Sequence, residues 1–315
     1  MNTALVFILL LILQIKLYHK FIMKKFSGVG VALVTPFTSD GTIDEHSLRN
    51  LVDYVIDGGV DYLVALGTTS EAATLSLSEK EFVVRVIIEQ NAGRLPIVIG
   101  VGGNNTMHVV HELTTLPYLK HGDAILSVTP YYNKPSQQGL YNHFKIIAEH
   151  SPLPIILYNV PGRTSVNMTA DTTLQLANNF ENIIAIKEAS GNMEQITNIL
   201  RDKQDDFLLL SGDDGITLPL MSIGCNGVIS VIANVLPREF STMIHLAQEG
   251  EYKDACKIHF QLTELYKALF MEGNPAGVKA ALHAQGIIAQ QTLRPPLCPV
   301  SDKLAQQLAQ LLENF

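Results

Sequence analysis

Sulfur, clustered positive charge and long apolar runs are all scarce in this chain, and each shortage removes a class of function. The 315 residues carry 22 Lys and Arg against 30 Asp and Glu, a formal net charge of −8. With no dense basic run, a nucleic-acid backbone has little to hold. Cys225, Cys256 and Cys298 are far apart, odd in number and form no C-x-x-C pair. That argues against a disulfide framework or a zinc site and fits a reducing cytoplasm. His108 and His111 would share a helix face, but no carboxylate joins them at metal spacing and H-E-L-T-T lacks the second histidine of a zincin. Both read as solvated, and no metal is expected.

The apolar run Ala4 to Leu13 is short for a membrane span, and it has neither basic residues before it nor a small-x-small cleavage site after it. Residues 1–22 are therefore expected to be an upstream-start extension, with the working protein beginning near Met23. The alternative is a weak membrane anchor.

What is present is enough apolar material, 47% of residues, for a sizeable core. From Gly28 onward short β-rich runs alternate with amphipathic stretches: Val29–Val34, Tyr62–Leu66, Ile97–Val101, Ala124–Val128, Ile155–Leu157, Ile183–Ile186, Phe207–Leu210 and Gly227–Val231. Such strands, with helix-length segments between them, predict an α/β fold of the (β/α)8 TIM-barrel kind over residues 23–235. Near-continuous Val, Ile and Leu suit parallel strands buried on both faces. Residues 236–315 exceed the one helix that closure needs, which predicts a closing helix followed by a C-terminal helical extension without a core of its own. Asp44-Glu45, Ser78-Glu79 and Asp213-Asp214 are the expected helix starts.

The strand ends carry the chemistry. Glycines, hydroxyls, tyrosines and a lysine follow the successive runs, and a closed barrel gathers those ends at one mouth. Lys187 ends the sixth run. An unperturbed lysine titrates near 10.4, so roughly one in a few thousand is a neutral amine at pH 7. Burial penalises the ammonium, which is how proteins make Schiff-base lysines; a lone lysine at a strand end is otherwise a snorkelling side chain. Gly67-Thr68-Thr69-Ser70-Glu71 offers backbone N–H groups and hydroxyls to a carboxylate or phosphate, although a Thr pair alone is an ordinary helix cap. It lacks a P-loop lysine, and Gly100-Val101-Gly102-Gly103 completes no dinucleotide fingerprint. Tyr132 and Tyr158 are able to relay protons or merely to pack. Arg163 suits a carboxylate clamp or a surface ion pair.

Together, G-T-T-x-E, T-P-Y-Y-N-K-P-S-Q, Y-N-V-P-G-R-T, I-K-E-A-S-G and S-G-D-D resemble the 4-hydroxy-tetrahydrodipicolinate synthase (dihydrodipicolinate synthase) family, in order and on the expected elements from about Met23 to the C-terminus. The resemblance implies a cytoplasmic class I aldolase-type lyase that condenses pyruvate with L-aspartate 4-semialdehyde on the diaminopimelate route to lysine. It implies that Lys187 forms the pyruvate Schiff base, that Tyr158 gives and takes protons, and that Thr68 and Tyr132 complete the relay. It further implies that Thr69 and Ile229 hold pyruvate, that Gly212 lines the same pocket, and that Arg163 meets the semialdehyde. The iminium is its own electron sink, so no cofactor is implied. Tyr132 would come from a neighbouring subunit, making a homo-oligomer, usually a tetramer built as a dimer of dimers.

The sequence departs from the family in a few places. Ser70 stands where Gly is common. Asn104 and Tyr131 match a feedback site for lysine, but His108 replaces an acidic residue and Leu77 and Lys80 replace histidines, so feedback by lysine is expected to be weak or absent. The rival readings are another pyruvate aldolase, such as a sialic-acid lyase or a 2-keto-3-deoxy sugar-acid aldolase, and a catalytically silent carboxylate-binding barrel.

Overall fold

The computed structural model describes residues 25–315. The apolar run from Ala4 and the expected start near Met23 lie outside them. Eight parallel strands close into one barrel: β1 Gly28–Ala32, β2 Tyr62–Ala65, β3 Ile97–Gly100, β4 Ala124–Val128, β5 Ile155–Asn159, β6 Ile183–Glu188, β7 Leu208–Ser211 and β8 Gly227–Ser230. The last closes on the first through the pairs Gly28↔Gly227 to Val31↔Ser230. The expected TIM-barrel architecture is therefore the observed one, and strand residues are buried almost throughout, as coverage on both faces requires.

Between strands run α1 Glu45–Asp57, α2 Leu77–Asn91, α3 Thr106–Thr115, α4 Gln137–His150, α5 Ala170–Asn179, α6 Met193–Asp202 and α7 Asp214–Met221, with α8 Pro237–Gln248 following β8. Their starts are chemically marked. Asp44 accepts from the Ser47 N–H at 3.0 Å, and Asp213 from the Gly215 N–H at 3.0 Å. Helix α2 starts before the expected Ser78, because Ser76 is its cap and exchanges hydrogen bonds with Glu79 in a capping box.

Inside the barrel, Tyr62 fills the lower layer. A Cβ at Gly30 would lie 2.1 Å from its ring, so only glycine leaves room for the phenol there. Phe26 meets that ring edge-on at 5.6 Å between centroids. At the same end, three side chains that precede strands accept N–H groups of the strand before: Asp61 from Val29, Asp123 from Ile97 and Asn226 from Leu209. These groups have no ladder partner of their own.

The C-terminal helices α9 Tyr252–Phe270, α10 Ala276–Ala284 and α11 Asp302–Leu312 add Leu262, Leu265, Leu282, Leu304 and Leu308 to the same apolar core that the barrel's outer face builds. They are also tied to the mouth by charge. Lys279, fully buried, donates to Glu71 at 2.5 Å and to the Thr292 carbonyl at 2.9 Å, and its Nζ stands 4.1 Å from the centre of the Phe37 ring. Arg294 holds Glu79 with both Nη groups and reaches the Gly41 and Thr74 carbonyls. The extension thus forms part of the wall of the mouth.

Candidate active site

Strands β5 and β6 run two residues further than their apolar runs, so Tyr158 and Lys187 sit within the ladder and not on loops. Their alignment depends on an irregularity. Ile155 pairs with Ile183 but Ile156 with Ala185, so β6 spends one extra residue, Ile184. Side chains alternate faces along a strand, and an inserted residue resets the alternation. Ile183 and Ile186 accordingly join the outer core, whereas Ile184 and Ala185 both join the inner one. The reset turns Lys187 inward beside its register partner Tyr158.

Lys187 is 5% exposed and Tyr158 6%. The Lys187 Nζ lies 4.5 Å from the centroid of the Tyr158 ring, over its aromatic face. Among the described residues no carboxylate comes within ion-pair distance of this amine. Lys279 differs: it is paired with Glu71, and burial still pushes its ammonium down to about 8. Gly212, just past the end of β7, crowds Lys187: an added Cβ there would sit 3.2 Å from the lysine Cε and 2.5 Å from the Ala189 Cβ. Ile229, on β8, belongs to the same inner apolar cluster as Tyr158 and Leu210.

Beside Tyr158 a cavity of about 470 Å³ is lined by Thr68, Tyr131, Tyr158, Arg163 and Asn274, among others, whereas Lys187, Thr69, Gly212 and Ile229 are not part of its lining. Thr68 and Thr69 head a 3-10 turn, Thr68–Ser70, and cap no helix. Ser70 tightens that turn by donating to the Gly67 carbonyl at 2.7 Å and leaves both threonine hydroxyls alone. Thr69 is buried, and its hydroxyl oxygen accepts from the Asn274 amide at 3.0 Å. A hydroxyl whose lone pair is occupied this way keeps its own proton for another acceptor. Arg163 sits exposed on a single helical turn, Pro161–Thr164, with no carboxylate partner among the described residues. Asp214 ties β7 to β8 by accepting from the Val231 and Ile232 N–H groups at 3.1 and 2.8 Å, and burial raises its carboxyl to about 6.

Tyr132 stands apart. It is 88% exposed, does not line the cavity of its own chain and has φ of 73°, a backbone region that bulky residues seldom occupy. Around the feedback positions, Lys80 and His108 both face Glu112, at 3.9 and 3.8 Å. That carboxylate, which the sequence reading did not weigh, offsets part of the positive charge at Lys80. Among the described residues no group of three His, Cys, Asp or Glu side chains has the spacing to hold a metal ion.

The sequence reading also missed Asn274, the Glu71–Lys279 pair, Asn159 and Glu188. Asn159 and Glu188 had a signal, since each follows a residue that was singled out. Asn274 and Lys279 reach the site from more than two hundred residues away in the chain.

Comparison with known proteins agrees with this geometry. Residues 25–315 match the model of the dihydrodipicolinate synthetase family. The 4-hydroxy-tetrahydrodipicolinate synthase of Azobacteroides pseudotrichonymphae is 55% identical over 288 residues, which is 91% of this chain and 97% of that protein. Among solved structures, dihydrodipicolinate synthase from Aquifex aeolicus superposes with a TM-score of 0.87 at 42% identity, over 92% of this chain and 98% of that one. The enzyme from Thermotoga maritima gives 0.89 at 39%, again over 92% and 98%. This chain belongs to the dihydrodipicolinate synthetase family.

Proposed function

We propose that this chain is a 4-hydroxy-tetrahydrodipicolinate synthase, joining pyruvate to L-aspartate 4-semialdehyde through a Schiff base on Lys187. The Lys187 amine adds to the pyruvate ketone and water leaves, giving an iminium. Loss of a methyl proton makes the enamine, whose carbon attacks the aldehyde. The amine of the second substrate then displaces Lys187 from the iminium carbon, closing the ring and freeing the lysine.

Tyr158 carries the protons of these steps, relayed through Thr68 to Tyr132 of a neighbouring copy. Thr69, Gly212 and Ile229 bound the pyruvate, and Arg163 binds the carboxylate of the semialdehyde through its two-pronged donor geometry. The working unit is a homo-oligomer, built as a tetramer, in the cytoplasm. In support, Tyr132 is 88% exposed in a single chain, and no helix among the described residues is long and apolar enough to cross a membrane. Feedback by lysine is weak or absent, since Leu77 and His108 offer an amine no carboxylate and Glu112 already faces the Lys80 ammonium and the His108 ring.

The single observation that carries the reading is a buried, unpaired lysine amine against the ring of a register-matched tyrosine. The test is borohydride reduction in the presence of pyruvate, read by mass spectrometry, with a coupled assay on wild type and Lys187→Ala. Adduct on Lys187 and turnover with aspartate semialdehyde are expected. No adduct, or faster turnover with sugar-acid aldehydes, overturns it.

A further inference from the structure

One rung beyond Tyr158 and Lys187, on the outside of the barrel, Asn159 pairs with Glu188. Glu188 is 1% exposed and has no cation within ion-pair distance among the described residues. Its carboxylate is satisfied by neutral donors: the Asn159 amide at 3.0 Å, the Gln195 amide at 2.9 Å and the Ser190 N–H at 2.7 Å. Asn159 in turn accepts from the Met168 N–H at 3.0 Å, and the Gln195 amide also reaches the Met168 carbonyl at 3.1 Å. One buried carboxylate therefore gathers β5, β6, the turn after β6, helix α6 and the far end of the loop that carries Arg163.

An ionised carboxylate is an acceptor only, whereas a glutamine of the same shape would turn hydrogens toward at least one of these donors. The placement also discriminates between registers. Without the extra residue Ile184, Lys187 would lie opposite Asn159 on the outer face, and Glu188 would turn into the apolar interior of the barrel. A carboxylate there would have lost all of its donors, which a low-dielectric interior penalises heavily. The same hydrogen bonds that satisfy Glu188 thus favour the one register that aims Lys187 at Tyr158.

We infer that the Glu188–Asn159–Gln195 cluster is a positioning device, which locks the shifted register of β5 and β6 and so sets the Lys187–Tyr158 geometry that turnover needs. The inference rests on the proposed role of Lys187. Misplacement of reacting groups by about an ångström is enough to cost roughly a hundredfold in rate.

The test compares Glu188→Gln, the reciprocal exchange Asn159→Asp/Glu188→Gln and the milder Gln195→Met with wild type. Active sites are counted by borohydride trapping of pyruvate, so that turnover is expressed per trapped site, and thermal midpoint and pyruvate KM are measured alongside. Glu188→Gln is expected to lower kcat per trapped site by roughly tenfold to a hundredfold while KM moves by less than about threefold. The reciprocal exchange, which restores one carboxylate facing one amide across the rung, is expected to regain most of that loss. Should Glu188→Gln not fold, a several-fold drop per site in Gln195→Met carries the inference, and unchanged turnover there overturns it. A loss seen only in the number of folded sites, with each trapped site working at the wild-type rate, also overturns it, as does a reciprocal exchange that regains nothing. Wild type forming no adduct on Lys187 defeats the proposed function and this inference together, whereas normal wild-type trapping with an unaffected Glu188→Gln defeats only the latter.

Discussion

Tyr158 and Lys187 face each other across adjacent parallel strands, with the lysine Nζ 4.5 Å from the centroid of the tyrosine ring. The contact separates two properties of the tyrosine: its ring face, which tolerates a cation, and its hydroxyl, which moves protons. Tyr158→Phe keeps the first and removes the second. The variant is expected still to form the pyruvate adduct, but slowly, and to turn over roughly a hundred to ten thousand times more slowly, the range for losing a general acid or base. Turnover within a few-fold of wild type would remove Tyr158 from the proton path.

Tyr132 projects 88% exposed from a backbone held at positive φ, and its loop is braced by hydrogen bonds between Asn104 and the Tyr131 carbonyl and between Asn133 and the Asn104 carbonyl. A strained, braced aromatic that misses its own cavity fits a contribution to another copy. Lys187→Ala and Tyr132→Phe, each nearly inactive alone, are therefore expected to restore activity when unfolded, mixed and refolded together. Mixed assemblies that stay as inactive as their parents would confine each site to one chain.

The Glu71–Lys279 pair is buried at both ends and links the Thr68–Ser70 turn to the C-terminal helices. Removing one partner strands the other charge, so Lys279→Met is expected to cost about 3–5 kcal/mol in denaturant unfolding. Pairing it with Glu71→Gln, which leaves an oxygen for the Arg294 N–H, is expected to return much of that loss. Equal instability of the single and double variants would show that packing, and not the stranded carboxylate, dominates.

Two ion pairs set opposite limbs of the stability–pH curve. Arg294 holds the Glu79 carboxyl down at about 2, below its ordinary 4.5, so this stabilisation is complete above the ordinary value and is lost as pH falls from there through 2. Asp61 raises His245 above its ordinary 6.5, so that contribution is present below 6.5 and disappears as pH rises through the raised value. Thermal midpoints measured against pH should lose part of their acid slope in Glu79→Gln and part of their fall above 6.5 in His245→Asn. An unchanged slope in either variant would assign that limb to other groups.

The barrel was legible because its information is local: buried parallel strands are short apolar runs, and Asp44 and Asp213 announce the helices that they cap. Lys187 and Tyr158 were legible for the same reason, as polar residues at the ends of such runs. What aims them was not. The extra residue in β6 shows in the sequence only as one more isoleucine, because Ile183, Ile184 and Ile186 are chemically alike and nothing in the run says which faces inward. The Arg294-Pro295-Pro296 stretch reads as an interruption between helices, yet Arg294 clamps Glu79 across more than two hundred residues of chain. Pairings of that span leave no periodicity to read.

Gly212 offers the closest test of how tightly the lysine is held. A methyl group there would lie 2.5 Å from the Ala189 Cβ and 3.2 Å from the Lys187 Cε, while the Gly212 N–H is fixed by the Glu188 carbonyl at 2.8 Å. The backbone therefore has little freedom to retreat, and overpacking of this kind typically costs about 1–3 kcal/mol. Gly212→Ala is expected to fold with a lowered thermal midpoint and to trap pyruvate roughly tenfold more slowly, because the lysine arm is displaced from its rotamer. Adding Ala189→Gly removes the nearer clash and leaves the contact with Lys187, so the double variant should regain stability but not trapping rate. If stability and rate recover together, the crowding at Ala189 was the whole effect, and the lysine is held from elsewhere.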